Sequence, residues 1–130
     1  MTPSIPRSPI IDPAWALFLA GPQHEIPISE TDPQIGPSDA PVQMVVFNDF
    51  LCPGCKQLAK TIPGLVSEFG DNLHVVFKNF PLDSVCNPLM NEPLHPLACE
   101  AAWAAEAAKD QKKFWSYHDV LSHVKPGAKE

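Results

Sequence analysis

The feature that most constrains the fold is a change of hydrophobic period on either side of FLCPGCK, residues 50–56. Before it, residues 42–47 form a mostly continuous apolar run, which is typical of a strand buried on both faces. After it, apolar side chains recur at helical spacing, at Leu58, Ile62, Leu65, Val66 and Phe69. Residues 73–80 predict a second strand. The order strand, helix, strand favours a parallel pair with a right-handed crossover, and therefore an α/β fold.

The flanking segments complete the predicted organisation. Residues 1–41 hold more than half of the sixteen prolines and are expected to form an arm, with a short edge strand at 25–28. Residues 42–123 are expected to form the core and 124–130 a tail. Within the core, helices are predicted at 98–108 and around 113–123. We expect Trp103 and Trp115 to cover the core, and the last helix to present an apolar face of Phe114, Tyr117, Val120 and Leu121.

Size and charge exclude several classes of function. A chain of 130 residues is about one domain, and its net charge of -6 with scattered basic residues argues against nucleic-acid binding and attraction to anionic membranes. No apolar run approaches the 18 or so residues of a membrane span. The most apolar N-terminal stretch, residues 13–20, is short for a signal-peptide core and is interpreted as a docking segment or as the remainder of something upstream.

The two cysteines of the motif are placed for redox chemistry. Cys52 is expected at the cap of the helix, with Pro53 in the first helical position, where a missing N–H is no loss. The N–H groups of the first turn should then point at the Cys52 sulfur and stabilise a thiolate, the attacking and leaving group. Cys55, one turn on, should be shielded and resolve a mixed disulfide, while Gly54 leaves the substrate's approach open.

Two alternatives to the redox pair remain open: half of a zinc site and an inert crosslink. Zinc needs four ligands, and the remaining candidates Cys86, His95 and Cys99 contain no second two-residue spacing. His95 and Cys99 could share a helix face as ligands, but Pro96 favours a capping or loop role for His95. The favoured interpretation therefore includes no metal and no nucleotide or other cofactor.

Other polar residues also carry alternatives. Cys86 and Cys99 could form a structural disulfide, worth about 3 kcal/mol for a loop of this length, two free thiols, or a second redox pair. The Lys56 side chain could add positive charge near a thiolate or simply be solvated. His118 is interpreted as a surface or packed helix residue.

Four blocks in order carry a family resemblance: VVFNDFLCPGC (45–55), VVFKNFPLDSVCN (75–87), HPLACEAAWAAEAA (95–108) and KKFWSYHDVL (112–121). Over roughly residues 24–123 the chain resembles DsbA-like thioredoxin-fold disulfide oxidoreductases. It is close to the thioredoxin-like domains fused to bacterial vitamin K epoxide reductase homologues. The resemblance implies a thioredoxin-like fold with a helical insertion, Cys52 as nucleophile and Cys55 as resolving thiol.

The resemblance also implies protein thiols and disulfides as substrates. It further implies a membrane quinone-linked redox partner of the vitamin K epoxide reductase type, and the periplasm or another oxidising compartment. Where many relatives carry an acidic residue six positions before the first cysteine, this chain has Val46. Asp49 could substitute for it, or be a solvated turn residue.

A second departure concerns the end of the chain. Relatives continue into a strand preceded by a cis-proline that faces the cysteines, whereas this sequence ends at Glu130. We therefore expect a truncated gene product, with an exposed sheet edge beside the catalytic strand. Such an edge favours self-association. It also favours a rival hypothesis, a non-catalytic thioredoxin-fold interaction domain.

Overall fold

The computed structural model describes residues 13–124, which leaves residues 1–12 of the arm and 125–130 of the predicted tail outside it. The helices and strands, in chain order, are α1 (Pro13–Ala20), β1 (Gln34–Ile35), β2 (Val42–Asn48), α2 (Pro53–Phe69), β3 (Leu73–Asn79), α3 (Ala98–Asp110) and α4 (Phe114–His123). A short 3₁₀ turn at Gly70–Asn72 joins α2 to β3.

The predicted parallel pair is confirmed. β2 and β3 run parallel, with Val42 opposite Leu73 at one end and Asn48 opposite Asn79 at the other. Helix α2 connects the two strands, as a parallel connection requires. The carboxyl end of β2 therefore delivers the chain directly into the cysteine turn.

β3, and not β2, is the strand buried on both faces. The strand order is β1-β3-β2, and five consecutive residues of β3, from Leu73 to Phe77, are buried. In β2 only Val46 and Asn48 are buried, while Phe47 is 51% exposed. The prediction for β2 was wrong because, among the described residues, β2 has a hydrogen-bonded neighbour on one side only. The apolar run tells a strand from a loop, but it does not tell which strand is central.

The core lies between the sheet and the helices that pack on one of its faces. Phe77 of β3 meets Phe114 and Trp115 of α4, with ring centroids 6.1 and 5.2 Å apart. Phe50, just beyond β2, meets Phe114 at 6.4 Å. The buried cluster consists of Val46, Phe50, Ile62, Leu73, Val75, Phe77, Ala105 and Phe114.

The edge strand of the arm lies at Gln34–Ile35, so the strand predicted at 25–28 was wrong. β1 pairs antiparallel with β3. Gly36 follows it at a φ of 88°, and a Cβ there would lie 2.1 Å from the carbonyl oxygen of Leu73. Only glycine permits this close approach.

Two side-chain links fix the arm to β3. Gln34 Oε1 lies 2.7 Å from His74 Nε2, and Lys78 Nζ donates to Asp32 Oδ2 at 2.6 Å. Burial by itself raises the pKa of Asp32, but the Lys78 ammonium and the Ser29 N–H outweigh burial, so the pKa lies below its ordinary value. The contribution of this pair to stability is therefore present at neutral pH and lost as the pH falls through the lowered pKa.

The two predicted C-terminal helices are confirmed, with corrections to their faces. Trp115 packs against the core as predicted, but Trp103 is 54% exposed and Val120 is 65% exposed. The buried face of α4 follows the spacing of Phe114, His118 and Ser122. The other residues of the predicted apolar face belong to the core or pack against it as expected. Val120 was wrong because the face was chosen by hydrophobicity, whereas polar side chains at one helical spacing turn inward.

The apolar stretch at 13–20 forms helix α1, none of whose residues is buried. All eight residues are exposed, and the large hydrophobic ones among them are Trp15, Leu17, Phe18 and Leu19. Within residues 13–124, every helix is too short or too polar to cross a bilayer.

Candidate active site

Cys52 begins helix α2 as the sequence predicts. Its backbone is extended (φ -74°, ψ 123°), and Pro53 occupies the first turn. The Cys52 carbonyl oxygen accepts the first helical hydrogen bond from the Lys56 N–H at 3.0 Å. The Cys52 side chain, however, makes no capping hydrogen bond. The expectation that first-turn N–H groups donate to this sulfur was therefore wrong, whereas the predicted place of Cys52 at the helix N-terminus is confirmed.

The second cysteine lies one turn along α2. Both cysteines are free thiols of intermediate exposure, so the shielding expected of Cys55 is partial. A Cβ added at Gly54 would stand 3.8 Å from the Cys52 sulfur. Any side chain at Gly54 would thus project beside the sulfur that is expected to react.

The pKa of the Cys55 thiol is raised. Burial is the largest cause, and the Cys52 sulfur and the Asp49 carboxylate add to it, while the backbone N–H of Asp49 acts in the opposite direction. Cys55 therefore holds its proton more firmly than an ordinary cysteine. For Cys55 to act as a nucleophile, a base must accept that proton.

Asp49 stabilises the cysteine turn through hydrogen bonds to its buried side chain. Its side chain is 1% exposed, so the alternative of a solvated turn residue was wrong. One oxygen, Oδ1, accepts from the N–H groups of Leu51 at 2.7 Å and Cys52 at 3.1 Å. The other, Oδ2, accepts from the Leu82 N–H at 2.8 Å. A buried carboxylate is stable only when it is bonded in this way.

His95 completes the set of Asp49 partners, with its Nδ1 3.0 Å from Asp49 Oδ2. The sequence predicts a capping or loop role for His95, and the structure shows its side chain in the loop before α3, tied to the cysteine turn. The metal alternative that paired His95 with Cys99 is not met, because Cys99 is bonded to Cys86. Residues 13–124 contain no cluster of three or more side chains able to hold a metal ion.

Cys86 and Cys99 form a disulfide, with their Cα atoms 5.9 Å apart. Cys99 is fully buried in the first turn of α3, whereas Cys86 belongs to the preceding loop. Nearby, the His95 N–H donates to the Leu82 carbonyl at 2.9 Å. The disulfide therefore fastens the loop that carries both Leu82 and His95, the two Asp49 partners from outside the turn.

The Lys56 ammonium is bonded to the chain segment that follows α4. Its Nζ donates to the carbonyl oxygen of Val124 at 2.9 Å, which links α2 to the end of α4. Besides the two roles predicted for Lys56, the structure thus shows a third: a hydrogen bond to the carbonyl that follows α4.

His118 is only 4% exposed, so the packed alternative of its two predicted roles is confirmed, but its position at the candidate site was not predicted. Its Nε2 is buried and has no hydrogen-bond partner among the described residues. His118 borders a narrow cavity that Cys55 also borders. The signal was the spacing of 114, 118 and 122 on α4, which places His118 on the inward face. The cavity is lined by Asn48, Asp49, Phe50, Cys55, Lys56, His118 and Ser122.

Comparisons with known proteins identify the family to which the chain belongs. The family model described as Thioredoxin matches residues 28–129. The chain is 42% identical over 86 residues to the Na(+)/H(+) antiporter NhaA 1 of Salinispora arenicola, which covers 66% of this chain and 12% of that protein. It is 31% identical over 108 residues to the disulfide bond formation protein D of Bacillus subtilis, covering 80% of this chain and 44% of that protein.

Among solved structures, oxidised BdbD from Bacillus subtilis superposes with a TM-score of 0.58 at 26% identity, covering 78% of this chain and 51% of that one. The chain spans less than half the length of the antiporter and of the disulfide bond formation protein, the two curated relatives described above.

Proposed function

Because the chain belongs to the thioredoxin family, with the thioredoxin-like fold and helical insertion of DsbA-like oxidoreductases, we propose that it is a thiol–disulfide oxidoreductase. Its redox centre is the Cys52-Pro53-Gly54-Cys55 turn. Cys52 attacks a protein disulfide, or passes its own disulfide to protein thiols, and Cys55 resolves the intermediate.

One observation carries this proposal: two free cysteines lie at the start of α2, with Cys52 as the N-cap, directly after a parallel strand. A helix N-terminus favours the thiolate that thiol–disulfide exchange requires. The disulfide bond formation protein of Bacillus subtilis among the relatives supports the same chemistry.

The compartment and the redox partner belong to the same proposal. An oxidising space such as the periplasm is supported by the Cys86–Cys99 disulfide, since such bonds persist where thiols are not kept reduced. A membrane-bound, quinone-linked partner of the vitamin K epoxide reductase type would exchange electrons with the Cys52–Cys55 pair. Protein thiols and disulfides are the proposed substrates.

Reduction of insulin disulfides by dithiothreitol tests the proposal. We expect the protein to accelerate the reaction, because dithiothreitol regenerates the dithiol after each turnover. The matched control is the same protein with its free thiols alkylated by iodoacetamide, which should leave the Cys86–Cys99 disulfide intact. Equal rates with the native protein, the alkylated protein and no protein would reject oxidoreductase activity.

A second candidate is a non-catalytic thioredoxin-fold interaction domain. It is favoured by the side of β2 that has no hydrogen-bonded neighbour among residues 13–124, and by the 42% identity to part of an Na(+)/H(+) antiporter, a transport protein. This candidate predicts no acceleration of insulin reduction, so the same assay separates the two.

Self-association through β2 is also proposed. An unpaired strand edge presents N–H and C=O groups to another chain, and Phe47 and Val42 are about half exposed on this strand. We expect sedimentation velocity to show a dimer whose fraction grows with protein concentration. Phe47→Lys should remain monomeric because a charge blocks edge pairing. A wild-type protein that stays monomeric across the whole concentration range would contradict edge pairing.

A further inference from the structure

His118 is a buried histidine whose two ring nitrogens have different surroundings. Nδ1 lies 3.1 Å from Oδ1 of Asp119, whose side chain is 72% exposed. Nε2 has no hydrogen-bond partner in the described part of the chain. An ionised carboxylate only accepts, so Nδ1 carries the hydrogen and, in the neutral ring, Nε2 is a bare lone pair.

Aromatic side chains hold the imidazole in place. Phe77 and Trp115 meet it edge to face, with ring centroids 4.8 and 5.4 Å away, and Phe114 stacks on it at 6.0 Å. Such packing fixes the orientation of the ring. An unpaired polar atom at a buried position needs an explanation.

The cavity beside His118 supplies one. Cys55 borders the same cavity, and the space is too narrow to hold a water molecule. Cys55, in turn, is a thiol whose pKa is raised by burial, so it must lose a firmly held proton before its sulfur can attack.

The charged groups that border this cavity already have hydrogen-bond partners. Both oxygens of Asp49 accept two hydrogen bonds each, from Leu51, Cys52, Leu82 and His95. Lys56 is a cation bonded to the Val124 carbonyl. With Asp119 on the far side of the ring and the Cys52 sulfur beside Cys55, these are the charged and titratable groups that face His118 and Cys55. Among them, His118 is the one with a buried nitrogen that has no hydrogen-bond partner in the described part of the chain.

We propose that His118 Nε2 is the base that accepts the Cys55 proton when Cys55 resolves a mixed disulfide; this rests on the proposed function. The Cys55 S–H bond breaks and its proton passes to Nε2. The sulfur's electron pair forms the Cys52–Cys55 bond, and the bond between Cys52 and the substrate sulfur breaks. The substrate leaves as a thiolate, so the protein's dithiol is oxidised and the substrate disulfide is reduced.

Stopped-flow reaction with Ellman's reagent tests this step without a protein substrate. The first coloured thiolate is released when Cys52 attacks, and the second when Cys55 resolves. We expect His118→Gln and His118→Phe to slow the second phase by about tenfold or more and to leave the first unchanged. The matched control is His123→Gln, which alters an exposed histidine of the same helix and should change neither phase.

The pH profile of the second phase provides a second measurement. In the wild type the rate of the second phase should rise with pH and reach a plateau at lower pH than in His118→Gln, since a neutral imidazole suffices as base. In His118→Gln it should keep rising into the alkaline thiol range. A second phase that is equally fast in the His118 variants overturns the proposal, as does a wild-type profile without the plateau. Insulin reduction tests the oxidoreductase function separately, so the two failures are distinguishable.

Discussion

Replacing Cys52 by alanine is expected to lower insulin-disulfide reduction to the uncatalysed rate. Cys52 is the N-cap of α2 and the cysteine beside which Gly54 leaves space. Without its sulfur no mixed disulfide forms, and Cys55, with its raised pKa, is a poor replacement nucleophile. The measurement is insulin reduction by dithiothreitol, with folding checked by circular dichroism.

Cys55→Ala is the matched variant, because it removes the other sulfur of the pair. It should still attack a disulfide through Cys52 but should stay covalently attached, since no second thiol releases the product. Non-reducing electrophoresis after mixing with a disulfide-containing protein should show a covalent adduct that dithiothreitol removes. An adduct that forms with Cys52→Ala and is missing with Cys55→Ala would reverse the assigned roles.

Asp49→Ala is expected to reduce the free energy of unfolding by about 3 to 5 kcal/mol, the usual effect of breaking a buried charged network. Asp49 is 1% exposed at its side chain and receives four hydrogen bonds, two of them from the cysteine turn. Its removal leaves the N–H groups of Leu51 and Leu82 without their side-chain acceptor, while the Cys52 N–H keeps its bond to the carbonyl oxygen of residue 49. Urea denaturation followed by tryptophan fluorescence measures the change.

Two variants control for this prediction. Asp39→Ala removes an exposed aspartate and should change the free energy of unfolding by less than about 0.5 kcal/mol. Asp49→Asn keeps one acceptor oxygen for the turn but places an amide group toward Leu82 or His95. Its loss of unfolding free energy should therefore lie between the losses caused by Asp39→Ala and Asp49→Ala. If Asp49→Ala were as stable as Asp39→Ala, the network around Asp49 would not stabilise the fold.

Local patterns were sufficient to predict the elements around the motif. The apolar runs at 42–47 and 73–80 correspond to β2 and β3, and the helical spacing after Cys55 corresponds to α2. Such patterns depend on neighbouring residues, which share one strand or helix face. The edge strand was misplaced because Gln34–Ile35 has only two residues and is defined by its pairing with β3.

Burial of individual side chains was the least predictable property. Trp103, expected in the core, is half exposed, while His118 and Asp49 are buried. Hydrophobicity ranks residues by their average tendency. In this chain the inward positions of α4 and of the turn after β2 are set by packing against other elements. A polar side chain can occupy such a position when, like Asp49, it finds donors there.

By itself the sequence determined the α/β class, the parallel strand pair and the placement of Cys52 at a helix start, because each depends on residues adjacent in the chain. Only the tertiary structure decided that β3 is central, that Asp49 joins His95 and Leu82 to the cysteine turn, and that His118 borders the same cavity as Cys55. These contacts join residues 33 to 63 positions apart, and no local period or spacing encodes them. They form because α3 and α4 fold back over the sheet to bury its apolar face.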